Sequence, residues 1–501
     1  MSATAMGSDE AGIRTYGGWR KARGLGLFGQ GTGATIVILG TIMVALVLAA
    51  TSLKLFALWL APGGFVIAVT VTRWQGETLW DRVHRRTRWR WGAMHGYHSL
   101  RAGVVVEHQR AWELPGLLAP TRVLSVDDGR NGHFGIVHDQ RTGLLTATLL
   151  CDARSTWLVE GQQADGWVSN WHSWLADLGV IPLVAWVAVT VEMAPEPGST
   201  LRQQVTDRVD VFAPVDALIL LDDLVQHSPA AAADVDTRVS ITFDPSRALE
   251  RLDGLAEQTA EVSRVLVGME SSLAECGVSV LGRATAPELA GIVRTAFDPA
   301  SRGEVNRLLS GSPDQAAELL TWGEAGPVAA EEEWDRYRHD SGWSRTYCWH
   351  EAPRQQVISS VLTPLLAPSR WPCRTTMLYR PFSAVSAARE LENEVNASTI
   401  RAMMKQKQGR DATARDIADH DRARQAAREE AIGAGVCRMS LYITVTVEDR
   451  VQLATASADI ESRAGQSKIQ LRPLYGGQAA GFATTLPAGV HPAHAAKRGR
   501  K

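Results

Sequence analysis

Two apolar runs lie almost end to end near the start of the chain, Ala34 to Ser52 and Leu55 to Thr72, with only Leu53 and Lys54 between them. A bilayer core about 30 Å thick takes roughly 20 apolar residues per helix, with about 17 as the lower limit. Each run sits near that minimum, and the short connection predicts a tight helical hairpin. A secretory signal has one short apolar region and a small-residue cleavage site, which this pair does not match. A buried hairpin in a soluble core is the other alternative, but apolar runs of this length are rare there. Nothing after Thr72 is comparably apolar. The chain therefore reads as a membrane-anchored α+β protein: a two-helix transmembrane hairpin followed by cytosolic mixed α/β domains with a long charged helical segment.

Charge sets the expected direction. Arg14, Arg20, Lys21 and Arg23 precede the first run, and Arg73, Arg82, Arg85, Arg86, Arg88, Arg90 and Arg101 follow the second. The turn offers only Lys54. Lys and Arg near span ends stay in the cytoplasm, so a multi-pass plasma-membrane protein with both termini cytoplasmic is expected. Pro62, Gly63 and Gly64 fall inside the second run, where they predict a kink and a helix neighbour in the membrane. Next comes WDRVHRRTRWRW, in which Trp80, Arg82, Arg85, Arg86, Arg88, Trp89, Arg90 and Trp91 interleave. Each Arg near an anionic leaflet is worth roughly 1 kcal/mol, and Trp favours the interface. The segment reads as lying on an anionic lipid surface. Simple flanking charge and a nucleic-acid patch, in which Arg meets phosphate and Trp stacks on bases, are the alternatives.

The formal net charge is −2, so the whole molecule is not built to coat nucleic acid. Cys151, Cys276, Cys348, Cys373 and Cys437 are scattered without a CxxC pair. That excludes a disulfide framework or zinc cluster and fits a reducing compartment. The expected organisation is a basic arm (1–33), the hairpin (34–72), a basic Arg/Trp segment (73–112), a first α/β domain (113–212), a helix and linker (213–236), a second α/β domain with charged helices (237–489) and a basic tail (490–501). Gly29–Gly33 superficially matches a phosphate cradle but lacks its Lys-Ser/Thr ending, so it reads as a linker.

Strands are expected at His133–Asp139 and Leu144–Asp152, joined by an Arg141-Thr142-Gly143 turn. A helix from Gln162 to Leu178 places Trp167, Trp171 and Trp174 on one face, a core stripe rather than a base-stacking one. Further strands are expected at Val184–Met193, from Val239, at Thr346–Pro353, Arg438–Asp449 and Ile469–Tyr475. Helices are expected at Arg247–Cys276, Val357–Ala367 (broken at Pro364), Ala384–Ile432 (broken near Gln408-Gly409) and Val451–Gly465. The tail Lys497–Lys501 reads as disordered. The α/β texture recurs on both sides of the linker and suggests repeated units, although no sequence repeat stands out.

No catalytic, cofactor-binding or metal-ligating set is expected. GxxxxGK[ST], GxSxG, HExxH and CxxC are all missing. Asp127-Asp128 and Asp222-Asp223 are the residues that a membrane-tethered, metal-dependent transferase would use on a sugar nucleotide; solvated surface is the plainer reading. Asp419-His420-Asp421 are neighbours on a helix, pointing in different directions, so one metal ion does not readily take all three.

RTYGGWRKAR near the N-terminus, LPGLLAP (Leu114–Pro120) and VTVEMAPEPGSTLRQQV (Val189–Val205) resemble an actinobacterial integral membrane protein family of conjugative and type IV secretion-like gene clusters. That resemblance covers Arg14 to Gly489 and implies a PrgI-like small membrane protein and a TraC-type ATPase as neighbours. GAGVCRMSLYITVTVEDRVQLATASADIESRAGQ, running on to Leu471–Gly489, is similar to the end of the N-terminal, non-motor domain of TraC-type conjugation ATPases. The N-terminal hairpin resembles the short inner-membrane subunit that accompanies them. Together these imply a non-catalytic inner-membrane subunit of an oligomeric complex that positions a separate P-loop ATPase. An EccE-like scaffold of type VII secretion, which also has two N-terminal spans and a cytosolic α/β domain, is the second reading.

Overall fold

The computed structural model describes residues 16–17, 19, 32–74, 76–102, 114–129, 132–153, 159–195, 205, 208–210, 212–227, 233–353, 355–407, 421, 424–426, 428 and 435–498. Two apolar helices come first, α1 (Thr32–Thr51) and α2 (Leu53–Val71). A small hairpin, β1 (Arg73–Trp74) and β2 (Glu77–Thr78), leads into α3 (Leu79–Met94) and the short strand β3 (Ser99–Arg101).

The strands of the body then recur twice in the same order, with an α-helix between the third and fourth strands in the first pass and only a 3-10 turn there in the second. The first pass is β4 (Thr121–Asp127), β5 (His133–Asp139), β6 (Leu144–Ala153), α4 (Gly161–Asp177), β7 (Val184–Pro195), α5 (Val215–His227), β8 (Ala233–Phe243), α6 (Leu255–Ala274), β9 (Val278–Arg283) and α7 (Ala286–Phe297). Two linking helices follow, α8 (Arg302–Ser310) and α9 (Pro313–Leu319). The second pass is β10 (Ala329–Glu332), β11 (Tyr337–His339), β12 (Gly342–Glu351), β13 (Cys373–Pro381), α10 (Ala384–Lys407), β14 (Cys437–Val447), α11 (Leu453–Gln466), β15 (Gln470–Pro473) and α12 (Gln478–Thr484). A last helix, α13, covers Pro492–Arg498.

All these strands from β3 onward form one antiparallel sheet of 13 strands, in the order β3-β10-β11-β12-β14-β13-β7-β8-β6-β5-β4, with β15 beside β12 and β9 beside β6. The division expected at 213–236 does not cut this sheet. Strand β7 precedes that segment, β8 begins inside it at Ala233, and the two pair from Val184 to Pro195. The two expected α/β domains therefore share one sheet, because the pairing that joins them spans residues far apart in sequence.

The repetition is geometrical. Thr146 bonds Thr242 and Thr148 bonds Ser240 through their hydroxyls, as Ser344 bonds Thr446 and Thr346 bonds Thr444. The Ala284 N–H donates to the Thr148 carbonyl, as the Leu474 N–H does to that of Thr346. These matches equate Ser240 with Thr444. Ala188 lies opposite Ser240, and Arg374 lies opposite Thr444, so Ala188 equates with Arg374. Two residues on, Thr190 equates with Thr376. These two face each other across the β7–β13 seam, 2.8 Å apart at their hydroxyls. The body is thus two copies of one module related by a pseudo-twofold axis through that pair.

Each strand's period-2 alternation feeds two cores. Val187, Val189, Val239 and Ile241 pack with Trp174 and Leu175 of α4 and with Val262, Leu266 and Met269 of α6. On the same face of the second module, Ile443 and Val445 pack with Ala456, Ile460 and Ala464 of α11. Of the α4 tryptophans, Trp174 is core and the partly buried Trp171 stacks on it at 4.9 Å between ring centres, while Trp167 is half-buried over Gly277. On the other face the sheet curls around α7 and α12, so Val137 of β5 and Tyr337 of β11 belong to one cluster with Leu289, Val293, Phe297 and Phe482.

Several boundaries differ from expectation. The helix placed at Arg247–Cys276 starts at Leu255, because Asp244 caps a 3-10 turn and Gly254 has φ 94°. Val357–Ala367 holds only a 3-10 turn at Ser359–Leu362. The expected tail is ordered to Arg498: Pro492 starts α13, and His491 packs its ring 5.1 Å from that of Trp186. Residues 499–501, most of 408–434 (with Asp419 and His420) and most of Gly29–Gly33 lie outside the described residues.

Candidate membrane interface and its joint with the body

Helices α1 and α2 are long and apolar enough to cross a membrane. Ser52 alone joins them, in extended conformation, so Leu53 and Lys54 belong to the first turn of α2 rather than to a loop. The helices meet at Gly63, where a Cβ would lie 3.4 Å from Thr41 Cγ2 of α1 and 2.9 Å from Nε1 of Trp59, whose indole N–H donates across to the Thr41 carbonyl at 3.4 Å. Small residues at such crossings let backbones approach. The Thr41 and Thr70 hydroxyls donate to carbonyls of their own helix, Val37 at 2.8 Å and Val66 at 2.7 Å, so neither presents an unmet donor to hydrocarbon. Helix α2 runs through Pro62 as one helix. The rest of the chain hardly covers the pair: Ile36, Leu46, Leu58 and Phe65 are each about two-thirds exposed or more. A soluble core helix would bury such residues.

The hairpin is tied directly to α3. The Leu79 N–H donates to the Thr72 carbonyl at 3.0 Å, and the Thr78 hydroxyl caps α3 by accepting from the Asp81 N–H at 3.1 Å. Arg82, Arg85, Arg86 and Trp89 recur at i, i+3, i+4 and i+7, and this face is half-buried against the second module. The Arg86 guanidinium sits 4.4 Å from the Trp334 ring centre, and Trp89 meets the same ring edge-on at 5.7 Å. Arg82 lies 5.2 Å over Tyr475, which stacks on Trp334 at 5.8 Å. Glu77 bridges Arg85 and Arg472, each at 2.5 Å. Gly476 is required here: its φ is 65°, and a Cβ would come within 2.6 Å of Trp334.

The membrane-surface set expected from sequence therefore splits. Arg82, Arg85, Arg86 and Trp89 grip the body, whereas Trp80, Arg88, Arg90 and Trp91 face outward, with Trp80 43% and Trp91 54% exposed. Arg–Trp interleaving looked uniform in one dimension. The helical spacing of the inner four is the signal that separates them. Trp334 and Tyr475, the partners that fix α3, carried no signal of their own.

Loss of the Trp334 ring removes three cation–π or aromatic contacts, two of them to α3, each worth about 0.5–1.5 kcal/mol. Trp334→Ala is expected to reduce hydrogen-exchange protection of the α3 amides by about tenfold or more while the sheet amides of β7 and β14 keep theirs. Unchanged protection in α3 would mean that the clamp is incidental.

The other concentration of charge lies at the seam of the modules. Glu192 of β7 is 3% exposed, accepts from Arg238 and pairs with Arg302 at 2.5 Å. Arg374, opposite it on β13, donates from Nε to Thr485 at 3.3 Å and lies 4.8 Å from the Phe482 ring centre. Burial opposes the Glu192 charge, but Arg238, Arg302 and Arg374 outweigh it and hold the carboxyl far below the usual range. Burial pushes Arg374 down to about 10, with Glu192 opposing. The arrangement is a closed ion network rather than a substrate cleft.

The acidic pairs are not brought together. The Asp127 and Asp128 carboxylates accept from the N–H groups of Gly129 and Gly132, shaping the β4–β5 turn. Asp222 and Asp223 stand on the exposed side of α5. Among the described residues no group of three His, Cys, Asp or Glu is placed to hold a metal ion. No protein-family model matches the chain, and no curated protein matches it either.

Proposed function

We propose that this chain is a non-catalytic, integral-membrane scaffold subunit of a conjugative or type IV secretion-like complex, holding a separate TraC-type P-loop ATPase at the cytosolic face. The observation that carries the scaffold reading is the α3 joint. Its inner face is locked to the body through Trp334, Tyr475 and Glu77, and its first residue is bonded to the end of α2. A body fixed in angle to the bilayer suits a part that must present a surface in one orientation. The outward Trp80, Arg88, Arg90 and Trp91 would rest on anionic lipid, and the uncovered faces of α1 and α2 would take partner helices, such as those of a PrgI-like small protein. The type of machine rests on the sequence resemblances alone.

Two measurements test this. With both termini cytosolic, a cysteine at Lys54 is labelled by an impermeant reagent from outside intact cells, and one at Arg101 is not; the reverse pattern would invert the topology. Co-expressed with its neighbouring TraC-type ATPase and purified in mild detergent, the chain should elute with the ATPase in fixed ratio. Elution alone, with the ATPase left in the soluble fraction, would sink the positioning role.

A further inference from the structure

The two modules differ at their outer edges: among the described residues β10 is covered by β3, and β4 has no such strand. The Asp128 N–H donates to the Gly132 carbonyl at 2.9 Å, and the Gln140 N–H donates to that of Pro120 at 2.9 Å. In the β4–β5 register these bonded positions are the even residues of β4. Antiparallel pairing alternates, so the odd residues Thr121, Val123, Ser125 and Asp127 turn their N–H and C=O groups away from β5. In the second module the Asp340 N–H donates to the Ala329 carbonyl, the counterpart of Gln140 to Pro120. There the outward groups are met by β3: the Glu332 N–H donates to the His98 carbonyl at 2.7 Å, and Ala330 lies opposite Leu100. Beside β4 no strand stands in that place among the described residues. Arg122, Ser125 and Asp127 are exposed, and Val123, Leu124 and Val126 are half-buried. The strand has no proline or bulge to blunt it.

We propose that β4 is a homodimer edge, pairing antiparallel with β4 of a second copy of this chain about a twofold axis at Ser125. The edge is self-complementary in that register. Opposite residues share a face only when their numbers have the same parity, as a period of two requires. Centring on Ser125 sets Leu124 against Val126 of the second copy and Arg122 against its Asp128, each pair occurring twice. Val126 already packs against the α4–α6 core, so the apolar pairs extend that core across the axis. The fold uses the same device internally, where equivalent strands β7 and β13 pair antiparallel about Thr190 and Thr376. Two strands alone bury less than the roughly 1,200 Å² of a stable interface, so the dimer is concentration-dependent and favoured by confinement in a membrane.

The full-length chain in detergent tests it. Ser125→Cys should form a reducible cross-linked dimer under mild oxidation, while Arg141→Cys, on the exposed β5–β6 turn, should not. Ser125→Pro removes an outward N–H and spares the bonds to β5; by light scattering it should be monomeric at concentrations where the unaltered chain dimerises. Arg122→Asp should weaken dimerisation about tenfold, the scale of one close charge pair. A monomer at every concentration overturns the proposal, as does a dimer indifferent to Ser125→Pro or Ser125→Cys cross-linking no better than Arg141→Cys. If Ser125→Pro fails to fold, the cross-linking pair decides alone.

Discussion

Replacing Glu192 with alanine is expected to destabilise the folded body by about 3–5 kcal/mol, the cost of stranding buried charges without their partner. Arg238 has 5% of its side chain exposed and Arg302 13%, so neither guanidinium reaches bulk water without moving the sheet or α8. Arg374 is 3% exposed and also faces the vacated position. The effect is fully present at pH 7. The folded-state pKa of Glu192 is depressed, so its contribution is complete above the unfolded glutamate range, about 4.3, and is lost progressively as pH falls from there to the much lower folded value. Urea unfolding in detergent, followed by the tryptophan fluorescence, reads it.

The pseudo-twofold supplies the control. Across the axis the counterparts of Glu192, Arg374 and Arg238 are Leu378, Ala188 and Tyr442, which make an apolar patch with Trp186. Substituting Leu for Glu192, Ala for Arg374 and Tyr for Arg238 together, in a chain that also carries Arg302→Met so that no guanidinium is left stranded, copies that solution onto the charged side. Replacing a whole buried ion network by packed apolar groups is often neutral, whereas breaking it is not. The combined variant is therefore expected to recover at least half of the single variant's loss. A combined variant as unstable as Glu192→Ala would mean that the charges do more than satisfy one another, since apolar packing in the same backbone would then be no substitute.

What sequence reading reached, and where it stopped, follows from the range of each interaction. The hairpin was legible because span length and hydropathy are local. So were the α4 tryptophans, whose spacing is helical, and β14, whose Leu441, Ile443, Val445 and Val447 alternate. The single sheet was not legible. Its seam joins Thr190 to Thr376, and no local pattern encodes which buried strand pairs with which. The internal repeat was hidden for a second reason. The counterpart helices α6 and α11 differ in length, 20 residues against 14. Beside the axis the counterparts differ in chemistry, Glu192 and Arg374 standing where the other module has Leu378 and Ala188. At the candidate interface the composition of α3 was visible but its division into a gripping and an outward face was not, because the partners Trp334 and Tyr475 arrive from two distant turns. Asp127 and Asp128 illustrate the converse. A carboxylate pair that sequence alone offers as a metal ligand is occupied in shaping a turn.

The second large effect is expected on acidification, through His339. Its ring is fully buried. The Nδ1 lies 2.6 Å from the Phe297 carbonyl, which fixes the neutral tautomer with Nδ1–H donating, and Nε2 accepts from the Ser344 hydroxyl at 2.7 Å. Burial pushes the imidazole down to about 3; the Phe297 carbonyl works the other way, and the nearby Arg374 charge adds to the depression. Below the ordinary histidine range, about 6.5, the unfolded chain binds a proton that the folded chain refuses. Stability is then unaffected above that range and falls as pH drops toward the folded value, by about 1.4 kcal/mol per pH unit. His491 has the same sign, lowered to about 4 chiefly by burial, so both contribute from pH 6.5 downward. Glu332, Asp340 and Asp236, raised by burial, act oppositely: in the folded chain they take up protons above the ordinary carboxylate range and offset part of the histidine loss. His339→Gln keeps a donor and an acceptor and removes the titration. It should lower stability at pH 7.5 yet make the slope between pH 6.5 and 5 shallower by about 1.4 kcal/mol per pH unit, the share of one histidine. An unchanged slope would place the titrating group elsewhere.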